Sequence, residues 1–181
     1  IYMKRIVTLT REQQQIYNDL KEQALAEFNN SETVTVTNAL ATLSKIHQVV
    51  CGHVITDTGR TKKIKSNRLK ELLAILDECS GKVIIWASFR ESIRQIEKAI
   101  QEKYKDKSVI ATYFGDTPVG ERQNIINRFQ DPKDKLRFFL GNQSTGGYGI
   151  TLTAANTVIY YSNTFDLEKR IQSEDRAHRI G

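Results

Sequence analysis

The chain is 181 residues long, 39% hydrophobic and 27% charged, with a net charge of +6 and a pI near 9.3. This composition excludes a disordered tract and a disulfide-stapled scaffold, and no apolar run reaches bilayer length, so no membrane association is expected. The length fits one domain, or one lobe with an appendage, and the basic balance is compatible with a polyanionic partner without requiring one. The first residues do not read as a signal peptide, so an intracellular setting, cytoplasm or nucleus, is expected.

Residues 5–9, an Arg-Ile-Val-Thr-Leu run, predict a strand. Thr10 follows as a helix N-cap with Gln13 at the capping-box position, and the helix after it carries Ile16, Leu20, Ala24 and Phe28 along one stripe. Asn29, Asn30 and Ser31 break that helix. A second helix runs through Ala39, Leu40, Leu43, Ile46 and Val50, with Gly52 as its stop. Residues 54–64, with Asp57, Thr58 and Gly59 inside, predict a short hairpin or an exposed loop. Arg60, Lys62, Lys63 and Lys65 form a basic cluster, read first as a solvated loop and second as a nucleic-acid-facing one. His47, Cys51 and His53 lie close in sequence but lack paired ligand spacing. A buried thiol with two incidental histidines is the better reading, and no metal site is expected.

From Ser66 the rhythm changes to alternating helix and strand. Ser66 or Asn67 caps a helix that buries Leu69, Leu72, Leu73 and Leu76, and residues 77–80 form its polar end. Residues 83–86 are a nearly continuous apolar run, as in a strand covered on both faces. A helix over 91–104 buries Ile93, Ile96 and Ile100, and a strand follows over 109–114. Pro118 suits the first turn of a helix burying Ile125, Ile126 and Phe129. Strands over 137–140 and 157–161 flank a glycine-rich loop, and a last helix is expected from Leu167 through Arg179. The alternation predicts an α/β domain, a parallel sheet flanked by helices, preceded by a helical lead-in.

Two segments carry candidate chemistry. Gly146, Gly147 and Gly149 follow a strand, where missing β-carbons let backbone N–H groups approach phosphate oxygens; alone, the segment reads as an ordinary turn. Residues 172–181, Gln-Ser-Glu-Asp-Arg-Ala-His-Arg-Ile-Gly, place Arg176 and Arg179 three apart, on one face of a helix. Two planar, permanently charged guanidiniums suit phosphate oxygens, although a basic helix end needs no more than the helix dipole to explain it. No GxxxxGK[ST] loop occurs in the 181 residues.

Residues 172–181 resemble the last helicase motif of the Swi/Snf-type ATPases, a branch of the superfamily-two helicases. Residues 144–156 are similar to that family's motif V and residues 82–89 to its motif IV. Gly115, Asp116 and Thr117, followed by Glu121, Arg122, Arg128 and Phe129, resemble the segment between them, and the blocks occur in the family's order. The resemblance implies a RecA-like second motor lobe of P-loop NTPase type over residues 66–181, with residues 1–65 as the lead-in. It implies that ATP binds between two lobes, with the phosphate loop and the Mg2+ ligands in an N-terminal RecA-like lobe that this chain lacks, so that the chain alone holds neither stably.

By matching, Arg176 and Arg179 would be catalytic arginine fingers, with Gly147, Gly149 and Gln172 also at the nucleotide. Ser88, Phe89, Arg90, Gly115, Thr117, Ser144 and Thr145 would hold a nucleic-acid backbone without reading its sequence. Helix N-capping is an equally good reading of Ser88 and Thr117. Asp116 stands where the family commonly has a serine, and adds negative charge where a phosphate would lie. The implied partner is DNA, duplex rather than single-stranded, and the implied activity of the two-lobed protein is DNA-dependent ATP hydrolysis. An RNA helicase lobe, a restriction-system motor lobe and a non-catalytic interaction module with the same fold remain alternatives.

Overall fold

The computed structural model describes residues 1–30, 36–56, 58–145 and 149–177. The chain divides into two compact units, Ile1–Glu71 and Leu72–Gly181. No helix among the described residues is long and apolar enough to cross a membrane, and no group of three or more metal-ligating side chains gathers among them.

The first unit opens with ten residues that have no regular structure, where the sequence predicts a strand over 5–9. β-propensity alone does not make a strand; it needs a ladder partner. Here side chains tether the segment instead. Asn67 Nδ2 donates to the Thr8 carbonyl at 3.1 Å, and Thr10 Oγ1 donates to the Lys65 carbonyl at 2.9 Å.

Helix α1 (Arg11–Asn30) starts with the reciprocal cap that its sequence predicts. Gln13 N–H donates to Thr10 Oγ1 at 3.2 Å, and Thr10 N–H donates to Gln13 Oε1 at 3.1 Å. Gln13 is also buried, and its Nε2 donates to the Val49 carbonyl at 2.8 Å, near the end of helix α2 (Val36–Val50). One glutamine thus caps the start of one helix and satisfies a last-turn carbonyl of the next. Beyond α2, β1 (His53–Ile55) and β2 (Thr61–Lys63) pair antiparallel, His53 opposite Lys63. Cys51 is buried and Cys79 half-buried, both as free thiols.

Helix α3 (Arg68–Glu78) spans the border of the units, with Ser66 Oγ accepting from Arg68 N–H at 3.2 Å and Leu72 and Leu76 buried. The second unit then runs β3 (Lys82–Trp86), α4 (Arg90–Tyr104), a 3₁₀ turn (Lys107–Val109), β4 (Ile110–Tyr113), α5 (Val119–Gln130), β5 (Phe138–Gly141), β6 (Ala155–Tyr160) and α6 (Leu167–Asp175). The four strands form one parallel sheet in the order β4-β5-β3-β6. β3 and β5 lie inside it and are buried along their whole length, which is why residues 83–86 and 138–140 are apolar runs.

Helices α4 and α5 cover the sheet with Ile93, Ile96, Ile100 and Phe129, all fully buried, each worth roughly 2–3 kcal/mol of apolar burial. Gly141 ends β5 where any side chain would collide, since a Cβ there would stand 2.7 Å from Trp86 Cζ3. Basic side chains close the helix ends. Lys82 Nζ donates to the Arg128 and Asp131 carbonyls at the end of α5, at 3.1 and 2.6 Å. Arg137 likewise donates to the Leu76, Cys79 and Gly81 carbonyls at the end of α3, at 3.2, 2.6 and 3.1 Å.

One boundary differs from the sequence expectation. Pro118 is the N-cap of α5 rather than part of its first turn. Helix α6 is regular to Asp175; Arg176 keeps a helical backbone, Ala177 N–H donates back three residues to the Glu174 carbonyl at 3.0 Å, and the expected last two residues, 178 and 179, lie outside the described residues.

Candidate nucleotide and nucleic-acid site

Because all four strands are parallel, their carboxyl ends open on one edge, and the loops leaving that edge carry the candidate residues. Backbone bonds extend the ladder into these loops: Ala87 N–H to the Gly141 carbonyl at 2.9 Å, Tyr161 N–H to Trp86 at 2.9 Å and Asn142 N–H to Tyr113 at 3.2 Å. Side chains then stitch the loops together. Ser88 N–H donates to Ser162 Oγ at 2.8 Å, Ser88 Oγ lies 3.4 Å from Gln143 Oε1, and Asn142 Nδ2 donates to the Ser88 carbonyl at 2.9 Å. Ser162 and Gln143 are buried, so this polar seam fixes the loop after β3 against those after β5 and β6.

The predicted nucleic-acid residues fall along this edge in different states. Ser88 and Phe89 are half-buried, and Phe89 is the N-cap of α4 without a side-chain cap bond. Arg90 is exposed; its Nη1 pairs with Asp116 Oδ1 at 3.1 Å, and its Nη2 lies 3.2 Å from where a Cβ on Gly115 would be. Thr117 is buried, and its hydroxyl works inside the loop, donating to the Thr112 carbonyl at 3.0 Å and accepting from Phe114 N–H at 3.1 Å. It therefore neither caps α5 nor faces solvent with a free proton. Ser144 is exposed with its N–H on Asn142 Oδ1 at 2.8 Å, and Thr145 N–H donates to the Asn142 carbonyl at 3.1 Å.

Of the nucleotide candidates, Gly149 and Arg176 come near one another at the other end of the glycine-rich loop. Gly149 is exposed with φ +74°, a left-handed conformation that glycine adopts without strain. After it the chain plunges inward, and Ile150 and Leu152 join the core cluster of Ile84, Trp86 and Phe139. Ala177 packs against the same cluster, which brings the end of α6 beside the loop. Leu152 N–H donates to the Arg176 carbonyl at 3.0 Å, and Arg176 Nη1 donates to the Ile150 carbonyl at 3.4 Å. The Arg176 side chain, half-buried, thus lies against the segment just past the Gly149 turn. Gln172 donates its amide to Glu168 at 2.8 Å, one turn back on α6. Gly147 and Arg179 lie outside the described residues.

Helix α6 is pinned to β6 by a small network. Tyr160 Oη lies 2.7 Å from Ser173 Oγ, which donates to the Arg170 carbonyl at 2.7 Å, so the phenol is the donor to the serine. The Arg170 guanidinium stacks on the Tyr160 ring at 3.2 Å and pairs with Glu174 at 2.6 Å. Burial pushes the Tyr160 phenol up, against the pull of the Ser173 bond and of Arg170.

Sequence reasoning missed Arg94, Gln143 and Ser162. Arg94 was readable as the i+4 neighbour of Arg90, whereas the other two are set by strand register. An open groove of about 640 Å³ lies beside Arg94 and Asp116, but Glu97 and Glu121 stand on its walls. Burial raises the Glu97 carboxyl above its usual range.

A parallel sheet with backbone-rich loops at its carboxyl edge, and an arginine docked behind a glycine turn, defines a RecA-like lobe of the nucleotide-hydrolase kind. Residues 64–181 match the helicase conserved C-terminal domain family, and the chain belongs to it, as a SWI2/SNF2-type C-terminal motor domain. It is similar to the ATP-dependent helicase FUN30 of Saccharomyces cerevisiae, 29% identical over 92% of this chain and 16% of that one. It is also similar to the C-terminal domain of the Sulfolobus solfataricus SWI2/SNF2 ATPase, 27% identical with TM-score 0.69, covering 86% of this chain and 69% of the other. Its fold matches the Sulfolobus solfataricus SWI2/SNF2 ATPase core solved in complex with dsDNA, 24% identical with TM-score 0.76, covering 96% of this chain and 36% of that one. The chain therefore spans only a small part of the FUN30 sequence and about a third of that core.

Proposed function

We propose that this chain is the second lobe of an ATP-driven DNA translocase, completing from one side a nucleotide cleft whose phosphate loop and Mg2+ ligands belong to a first lobe. The observation that carries this reading is the Arg176–Ile150–Leu152 contact. It holds a permanently charged guanidinium, half-buried, at the root of the glycine loop. ATP bound there would supply the phosphoryl group; Arg176, with Arg179 beyond it in sequence, would stabilise charge on the transferring phosphate. Because such an arginine acts only when two walls meet, hydrolysis would be coupled to lobe closure.

The carboxyl edge supplies a second surface. Exposed Ser144 and Arg90, with half-buried Ser88, Phe89 and Thr145, offer hydroxyl, amide and guanidinium donors and no base-reading pattern, which suits a phosphodiester backbone. Duplex DNA is the proposed ligand, supported by the dsDNA bound to the Sulfolobus core of the same fold.

The test joins this chain to a first lobe bearing a GxxxxGK[ST] loop and measures ATP hydrolysis with duplex DNA, single strands or RNA. Duplex-stimulated turnover is expected, falling on the order of a thousandfold in Arg176→Ala. Stimulation by RNA alone would reassign the substrate, and turnover unaffected by Arg176→Ala would remove the finger role. The chain by itself is expected to hydrolyse ATP negligibly.

A further inference from the structure

Arg90 and Arg94 stand one turn apart at the start of α4, and both reach the same carboxylate. Arg90 Nη1 pairs with Asp116 Oδ1 at 3.1 Å and Arg94 Nη2 with Asp116 Oδ2 at 3.1 Å, so each oxygen serves one guanidinium. The three side chains are open to water, at 66%, 59% and 37% exposure respectively for Arg90, Arg94 and Asp116. Ion pairs this exposed add little to stability, so the fold does not require them. Two oxygens bridging two guanidiniums is also what the non-bridging oxygens of a phosphodiester would do.

Asp116 belongs to the loop that leaves β4, between Gly115 and the buried Thr117. Thr117 is bonded back onto Phe114 and Thr112, which ties down the loop backbone next to Asp116. The loop thus presents the carboxylate beside the arginine pair, each oxygen on one guanidinium.

We propose that Arg90 and Arg94 together form a phosphodiester seat, and that Asp116 is a built-in competitor occupying it until a backbone phosphate displaces the carboxylate. The proposal rests on the DNA-binding reading and adds Arg94 and the competition to it. When a phosphate takes the seat, the arginines exchange one anion for another and the freed carboxylate faces the incoming charge. Binding is weaker than the arginines alone would give. Its salt dependence is flatter too, because an internal anion rather than the arginines' full charge sets the number of counterions released. A lobe tuned in this way grips DNA loosely enough to let go between steps.

The experiment titrates a fluorescent DNA duplex with the chain by anisotropy, across roughly 50 to 200 mM salt, for wild type, Asp116→Asn and Asp116→Asn with Arg94→Ala. The isosteric amide is expected to bind about five-fold or more tightly at the lowest salt, with a log–log salt slope steeper by about one. Removing Arg94 in that background is expected to return most of the gain. Circular dichroism and thermal melting of Asp116→Asn should match wild type, since only exposed pairs are lost. If wild type binds duplex and Asp116→Asn binds with the same affinity and slope, the competitor role is overturned while DNA binding stands. If a gain appears but survives Arg94→Ala, the two-arginine seat is overturned. If neither protein binds duplex even at the lowest salt, the DNA reading itself fails and takes this inference with it.

Discussion

Leu152 donates its backbone N–H to the carbonyl of Arg176 at 3.0 Å, so the strand of chain leaving the glycine loop and the chain leaving α6 are hydrogen-bonded at their main chains. This bond does not depend on the arginine side chain. The consequence is a separation of roles: the backbone sets the position and the guanidinium supplies the charge.

Arg176→Ala should therefore leave folding nearly intact, with a stability loss of about 1 kcal/mol or less, while lowering ATP turnover of the two-lobed protein about a thousandfold. Arg176→Lys should recover little, because an ammonium lacks the planar fork. Denaturant unfolding and single-turnover hydrolysis on the same variants check the two halves. A large stability loss in Arg176→Ala would mean that the side chain is structural.

The Tyr160–Ser173 bond predicts a second effect. Tyr160→Phe removes the phenol that donates to Ser173 and leaves the ring under Arg170. A loss of about 0.5–1.5 kcal/mol is expected by urea unfolding. Adding Ser173→Ala should cost less than the sum of the two single changes, since one bond is being removed twice.

Gly141 gives the sharpest packing test. A methyl group there would press on Trp86, on Phe139 Cε1 at 3.1 Å and on the Tyr113 carbonyl at 3.1 Å. These neighbours come from three adjacent strands and cannot all retreat. Gly141→Ala is expected to destabilise the second unit by roughly 1–3 kcal/mol, read as a lower urea midpoint with an unchanged slope.

What the sequence revealed, and what it hid, follows from how each feature is encoded. β3 was legible because a strand buried on both faces gives a nearly continuous apolar run over 83–86, and the cap of α1 was legible because Thr10 and Gln13 bond across three residues. The strand expected over 5–9 failed because pairing depends on a distant segment, which local pattern does not encode. The last regular turn of α6 stops at Asp175, with a three-residue bond from Ala177 to Glu174 that no side-chain pattern announces. At the candidate site, the motif residues were named from order and spacing. The Gln143–Ser88–Ser162 seam escaped because register alone brings three loops together, and Thr117 escaped as an inward-facing residue because an exposed-looking loop threonine gives no sign of its bonds.

His47 predicts a pH dependence for the first unit. Burial first, then the charge of Arg68 and the electrostatic influence of His53, lower its pKa below the usual 6.5. The folded protein thus holds His47 neutral at a pH where the unfolded chain takes up a proton. Well above pH 6.5 neither state is protonated and His47 has no influence. As the pH falls below that value the unfolded chain binds the proton first, and stability declines until the folded-state pKa is reached, after which the loss levels off. His47→Gln, which keeps a polar side chain without a titrating proton, should flatten the stability profile as the pH falls from neutral. Urea midpoints measured at half-unit pH steps on both proteins decide it, and a wild-type profile no steeper than that of the variant would show that His47 titrates alike in both states.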